Sequence, residues 1–204
     1  MAKNTPNPTP RWLTENDKDH SQRFVERFRD LRTRGVDLEG EARLLDALVA
    51  PSSLILDAGC GTGRVGAALH RRGHKVVGID IDPILIEAAR MDYLGPTWIQ
   101  GDLYDLDLVS HDIHELFDAS ILAGNVMPYL AVGTGARVLS NVSKHLRNDA
   151  PVVAGFSQAH GYLLEDFDHD LSAARLEIEH RFSTWDLRPW TKDSDYVVTI
   201  ARIH

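Results

Sequence analysis

Residues 54–83, LILDAGCGTGRVGAALHRRGHKVVGIDIDP, carry an aspartate, a cluster of glycines and a second aspartate. Gly59, Gly61, Gly63 and Gly66 let a backbone approach a bound ligand more closely than any side chain would permit. Parts of this kind build two sorts of nucleotide site. In the first, Gly61-x-Gly63-x-x-Gly66 is a dinucleotide fingerprint, with Asp80 about twenty residues on as the ribose acid. That site needs a bare helix N-terminus, so that backbone N–H groups meet a pyrophosphate. In the second, the motif is Asp57-x-Gly59-x-Gly61-x-Gly63, and the acid stands before the turn, at the tip of a strand. A carboxylate there repels a pyrophosphate and suits a cationic ligand. The second reading accounts for the acid that the first leaves unexplained.

In this form the stretch resembles motif I of the class I methyltransferases that use S-adenosylmethionine. The resemblance is close over residues 54–103 and looser in the order of the later elements. It implies S-adenosyl-L-methionine as cofactor, S-adenosyl-L-homocysteine as product, and in-line transfer of a methyl group from a sulfonium to a nucleophile. The cofactor carries an ammonium and a sulfonium and no phosphate, which agrees with Asp57 ahead of the turn. By this resemblance Asp57, Gly59, Cys60, Gly61 and Gly63 form the cofactor turn, with Cys60 serving as a small residue. Asp80 is placed to accept both ribose hydroxyls, and Ile81 to lie against the adenine. Asp80 could instead cap a helix, but Asp82 ahead of Pro83 fills that role better. The family's acid at the end of the third strand receives the adenine amino group. That role falls to Asp102, with Leu103 beside it; the alternative is a turn-forming aspartate.

Ligands of open α/β sheets bind beyond the carboxyl ends of the strands. AGNVMPYL, residues 123–130, therefore falls beside the methionine end of the cofactor. A carbonyl near Ala123 could take the ammonium, Asn125 could orient cofactor or acceptor, and Met127 and Tyr129 could line the acceptor site. The stretch departs from the Asn-Pro-Pro-Tyr motif of amino-directed nucleic-acid methyltransferases, because Val126 and Met127 stand where its first proline belongs. His160 follows a strand end and is the candidate general base, although a surface histidine is the plainer reading in a chain with ten of them. Tyr162 comes from the same segment. In FSTWDLRPW, residues 182–190, Trp185 and Trp190 could line an apolar pocket and Arg188 could clamp a carboxylate. Equally, the tryptophans could pin a hairpin while Arg188 pairs with Asp186. HDIHE, residues 111–115, lacks a fourth ligand, and no metal is expected.

The elements that must position these residues alternate between strand and helix patterns from Leu54 to Ala174 and close with two strands. An α/β fold is expected: a doubly wound, Rossmann-like, seven-stranded sheet with an antiparallel C-terminal strand and helices on both faces. Residues 1–10 read as a disordered leader. Residues 11–204 read as one domain, with N-terminal helices over 11–50 beside or above the pocket and the sheet core over 51–204. Phe24, Val25, Phe28 and Leu31 share one helical face. The chain has 204 residues, 22 basic and 30 acidic side chains and a formal net charge of −8. That balance argues against a nucleic-acid partner. The arginines from Arg23 to Arg34 sit among acids and read as a solvated helix face. One cysteine excludes an intrachain disulfide, and no apolar run reaches the ~18 residues that span a bilayer; a cytoplasmic location and no membrane partner are expected. The acceptor expected is a small molecule. The alternatives are a protein or nucleic-acid acceptor, or a noncatalytic cofactor-binding protein.

Overall fold

The computed structural model describes residues 7–203, so residues 1–6 of the expected leader lie outside the described residues. The strands are β1 (Leu54–Ala58), β2 (Lys75–Asp80), β3 (Thr97–Gln100), β4 (Ala119–Leu122), β5 (Pro151–Ser157), β6 (Leu176–Phe182) and β7 (Tyr196–Ile203). They form one seven-stranded sheet in the order β3-β2-β1-β4-β5-β7-β6. The first five are parallel, and β7 runs antiparallel between β5 and β6. This is the doubly wound sheet with an antiparallel C-terminal strand that the element order predicts.

The central strands are apolar on both faces because helices cover both. Successive residues point to opposite sides, so Leu56, Val77, Leu122 and Val152 enter one core while Ile55, Val76, Ile121 and Val153 enter the other. The first core is completed by Val138, Leu139 and Val142 of α7 (Gly135–Ser143) and by Phe167 and Leu171 of α8 (Leu164–Ala173). The second is completed by Ala42, Leu44 and Leu45 of α3 (Gly40–Asp46) and by Val65, Ala68 and Leu69 of α4 (Arg64–Arg71). Asp82 caps α5 (Pro83–Asp92), accepting from the N–H of Ile84 at 2.9 Å and of Leu85 at 3.4 Å. Val25 of α2 (His20–Thr33) packs on Leu85 and Ala88 of α5, and α2 ends before Gly35 at φ +69°.

Two short helices were not expected. α1 (Arg11–Thr14) follows Pro10, which is buried, and α6 (Val126–Tyr129) stands where the sequence reads as a loop. Asn125 at φ +71° starts α6, a left-handed conformation that asparagine tolerates better than most residues. At the other end of the chain, Trp185 lies against the backbone of β5. A Cβ on Gly155 would fall 2.2 Å from its ring and one on Gly40 3.4 Å from its Cβ. The tryptophan thus fastens the terminal strands to the sheet. Trp185→Ala should lower unfolding free energy by about 2 kcal/mol, less than a fully buried aromatic costs, and leave cofactor affinity unchanged. Urea denaturation and calorimetry together check both halves.

Candidate active site

The chain leaves β1 for β2 and β3 on one side and for β4 and β5 on the other, so β1 and β4 flank a crevice at their carboxyl ends. A cavity of about 290 Å³ opens there. Its wall includes Asp57, Gly59, Cys60, Gly61, Asp80, Ile81, Asp102, Leu103, Ala123 and Asn125. Gly63 is the exception among the residues proposed for the cofactor. It starts α4 at φ +79°, and a Cβ there would meet the Trp98 ring at 2.8 Å, so it serves close packing behind the turn.

The turn is held by its own amides. Gly59 and Cys60 donate to the Ile79 carbonyl at 2.8 and 3.0 Å, and Gly63 donates to the Cys60 carbonyl at 2.9 Å. Gly61 donates to Asp80 Oδ2 at 2.8 Å, and Asp82 N–H donates to Asp80 Oδ1 at 2.9 Å. Gly66 N–H, in the first turn of α4, donates to Asp57 Oδ2 at 2.9 Å. The acid before the glycines therefore occupies the helix N-terminus that a pyrophosphate would need. Gly59 has no room for a side chain, since a Cβ would meet Val126 at 2.5 Å.

Burial pushes the Asp57 carboxyl up to about 7, against the lowering effect of the Gly66 N–H, and Asp80 up to about 6. Arg64, the nearby guanidinium, is engaged by Glu41 and by the Leu38 carbonyl at 2.9 Å. Two desolvated carboxylates, neither ion-paired, with Arg64 acting on Asp57 only at a distance, make a site that favours a positively charged occupant. Asp102 is raised by desolvation, opposed by the N–H of Tyr104, which it accepts at 2.9 Å. It is thus both a cavity residue and the turn-former weighed as its alternative. The buried Cys60 thiol is pushed well up by desolvation, which disfavours the thiolate.

The roof was only partly foreseen. The expectation that the N-terminal helices lie near the pocket holds, since Phe24, Arg27 and Phe28 of α2 and Pro10 and Trp12 from the preceding segment line the cavity. Trp12 packs edge-on against Phe24 at 5.4 Å and Tyr129 at 5.5 Å between ring centroids, and its Nε1 donates to Asp82 Oδ2 at 2.8 Å. The even aromatic spacing of α2 was the available signal; nothing local announced Trp12.

The acceptor-side candidates divide. Tyr129 lines the cavity, and Asn125 does so while its Oδ1 accepts from Ser157 N–H at 2.8 Å, tying the end of β4 to that of β5. Met127 is 2% exposed and turned into the core, because α6 points Tyr129 one way and Met127 the other. His160 stands behind the wall, its Nδ1 3.5 Å from the Tyr129 hydroxyl. Tyr162 donates its hydroxyl to Asp170 at 2.6 Å and packs on Phe156, away from the cavity. Trp185 is spent on β5, and Arg188, with its side chain 74% exposed, lies 3.5 Å from Asp186. The structure does not bring Met127, His160, Tyr162, Trp185 or Arg188 to this cavity. Among the described residues no three His, Cys, Asp or Glu side chains are grouped to hold a metal, and no helix is long and apolar enough to cross a membrane.

Comparison with known proteins agrees with this geometry. The family described as "Methyltransferase domain" matches residues 55–149. The crystal structure of a TehB-like S-adenosylmethionine-dependent methyltransferase from Corynebacterium glutamicum superposes with a TM-score of 0.85 at 37% identity, covering 92% of this chain and all (100%) of that one. A ribosomal protein L11 methyltransferase from Symbiobacterium thermophilum is 36% identical over 43% of this chain and 30% of its own length. A ubiquinone biosynthesis O-methyltransferase from Xanthomonas campestris is 31% identical over 43% of this chain and 41% of its own. The matched stretch thus spans less than half of these curated relatives. The chain belongs to the class I S-adenosylmethionine-dependent methyltransferases. It is an enzyme of that kind, with S-adenosylmethionine as its cofactor.

The two raised carboxyls make a signed pH expectation. Their folded values lie above the ordinary 3.8, so between about pH 4 and 7 the folded state holds more protons than the unfolded chain. Their contribution to stability therefore falls as pH rises through that window. If the ionised pair faces the cationic cofactor, the rise in Tm caused by S-adenosylmethionine should grow from about pH 5 to about pH 8. A shift that is flat with pH would separate these carboxylates from the cofactor's charge.

Proposed function

We propose that this enzyme methylates a small-molecule acceptor by in-line displacement. The carrying observation is the roof: Trp12, Phe24, Phe28 and Tyr129 line the cavity beside the glycine turn with aromatic rings, the enclosed and largely apolar lining that small-molecule sites have. The formal charge of −8 disfavours a nucleic-acid backbone. The relatives named for L11 and for ubiquinone biosynthesis differ in acceptor, so the likeness to them does not single out an acceptor class.

The residues fit the cofactor on three counts: a side-chain-free cradle at Gly59, desolvated acids at Asp57 and Asp80, and an apolar wall at Ile81 and Leu103. In this reading Asp80 holds the ribose, Asp102 the adenine amino group, Ile81 and Leu103 the adenine faces, and Asp57 with the Ala123 carbonyl the ammonium. When bound, the cofactor supplies a methyl group made electrophilic by its sulfonium. The chain contributes alignment and exclusion of water, which suffice when the acceptor is already nucleophilic. Tyr129, on the cavity wall, is the side chain to receive or pass an acceptor proton, with His160, its Nδ1 3.5 Å from the Tyr129 hydroxyl, as the positioning partner.

Labelled methyl transfer from S-adenosylmethionine into a cell extract, fractionated by size, tests the acceptor class. Label is expected below the protein and RNA fractions; label confined to protein or RNA would overturn the reading. Separately, Asp80→Ala should weaken S-adenosylhomocysteine by about 1.5–3 kcal/mol, as for a lost charged hydrogen-bond partner. Calorimetry showing equal affinity in a folded variant would remove Asp80 from the ribose role.

A further inference from the structure

We infer that Arg11 is the positioning residue of the Tyr129–His160 pair, holding both side chains in place through the backbone that carries them. The inference rests on the proton role given to Tyr129 above and adds the part that fixes its geometry. The guanidinium of Arg11 is divided between two tasks. Its Nε and Nη2 donate to the Glu15 carboxylate at 2.6 and 3.0 Å, the parallel pairing that fixes the plane of a guanidinium. That leaves Nη1, which donates to the carbonyls of Pro128 and His160, both at 2.9 Å. Those oxygens stand 117 and 149 residues further along the chain. The neighbouring arginines face carboxylates instead: Arg23, Arg34 and Arg43 pair with Asp17, Asp30 and Asp37, and Arg29 and Arg32 share Asp92.

The two carbonyls are the ones that place the pair. That of Pro128 belongs to the peptide preceding Tyr129, the last residue of α6. That of His160 ends the single turn Gln158–His160, ahead of Gly161 at φ +73°. One-turn helices are poorly held by their own hydrogen bonds and end in carbonyls without intrahelical donors. Arg11 supplies donors to both ends at once and so sets the separation of the two turns. Across that separation the Tyr129 hydroxyl lies 3.5 Å from His160 Nδ1, with ring centroids 5.3 Å apart. A contact at the outer limit of hydrogen bonding is lost on a small displacement, so the spacing of the turns decides whether the pair acts as a unit. A planar fork achieves what the point charge of a lysine does not: it binds a carboxylate along one edge and still presents two donors elsewhere. The next residue, Trp12, stands edge-on to the Tyr129 ring at 5.5 Å between centroids, so α1 also meets the tyrosine through its side chain.

A double-substitution cycle read by NMR tests the coupling. The chemical shift of His160 Nδ1, assigned by its loss in His160→Gln, would be recorded at one fixed pH in wild type, Tyr129→Phe, Arg11→Met and the double variant. Removing the tyrosine hydroxyl is expected to displace the His160 signal in the wild-type background and to leave it unmoved in the Arg11→Met background. Methionine keeps an apolar stem in place of the arginine's and removes every donor. Arg11→Gln, whose amide is too short to reach both carbonyls, is read in the same way should Arg11→Met not fold. A role in stability alone would lower Tm in the arginine variants and leave the Tyr129→Phe displacement intact. A displacement of equal size in both backgrounds, or none in the wild type, overturns the inference. The NMR cycle needs no acceptor, and the size-fractionated transfer assay uses the wild-type chain. Failure of the small-molecule reading is therefore seen in the fractions, and failure of the Arg11 assignment in the spectra.

Discussion

The structure depends on a carboxylate buried where a charge is costly. Asp57 is 1% exposed, near the end of β1, with one backbone N–H bonded to it, while the nearby Arg64 guanidinium is itself tied to Glu41. Exchanging its place for an amide or an apolar group would relieve the protein and remove the reason for the site. The strain is tolerated because the same carboxylate closes the first turn of α4, and because the turn above it is tied down by Ile79 and Asp80. One acid thus terminates a strand, starts a helix and gives the crevice its sign.

Much of this was legible from local pattern. The acid–glycine–acid arrangement, the cap at Asp82 and the alternation of apolar strands with amphipathic helices are short-range features, and each survives in three dimensions. Asp57, Gly59, Cys60, Gly61, Asp80 and Asp102 share a cavity because motif spacing and strand ends determine backbone position there. An antiparallel terminal element was visible as a change of pattern after Ala174, once no further helix separated the strands, whereas the insertion of β7 between β5 and β6 was not.

Side-chain direction was not legible. Met127 and Tyr129 lie two residues apart, and only the helical turn of α6 decides that the first is core and the second is wall. Tyr162 looked available until Asp170 came within reach from α8, and His160 is separated from the cavity by a residue 31 positions earlier in the chain. Trp185 had two readings, of which pinning the hairpin was the plainer, and the bare backbone at Gly155 agrees with it. The roof failed for the same reason: Trp12 acquires its place from partners at Asp82 and Tyr129, far along the chain.

That roof also joins chemistry to chain entry and exit. Arg11 Nη1 donates to the carbonyls of Pro128 and His160, both at 2.9 Å, Trp12 is moored to Asp82, and the Asn7 side chain bonds Asp102. The opening stretch of polypeptide is laced across the threshold, fastened to both rims. Traffic through that doorway therefore passes this lacing, which ties access to the cavity to Asn7, Arg11 and Trp12 as much as to the glycine turn beneath them.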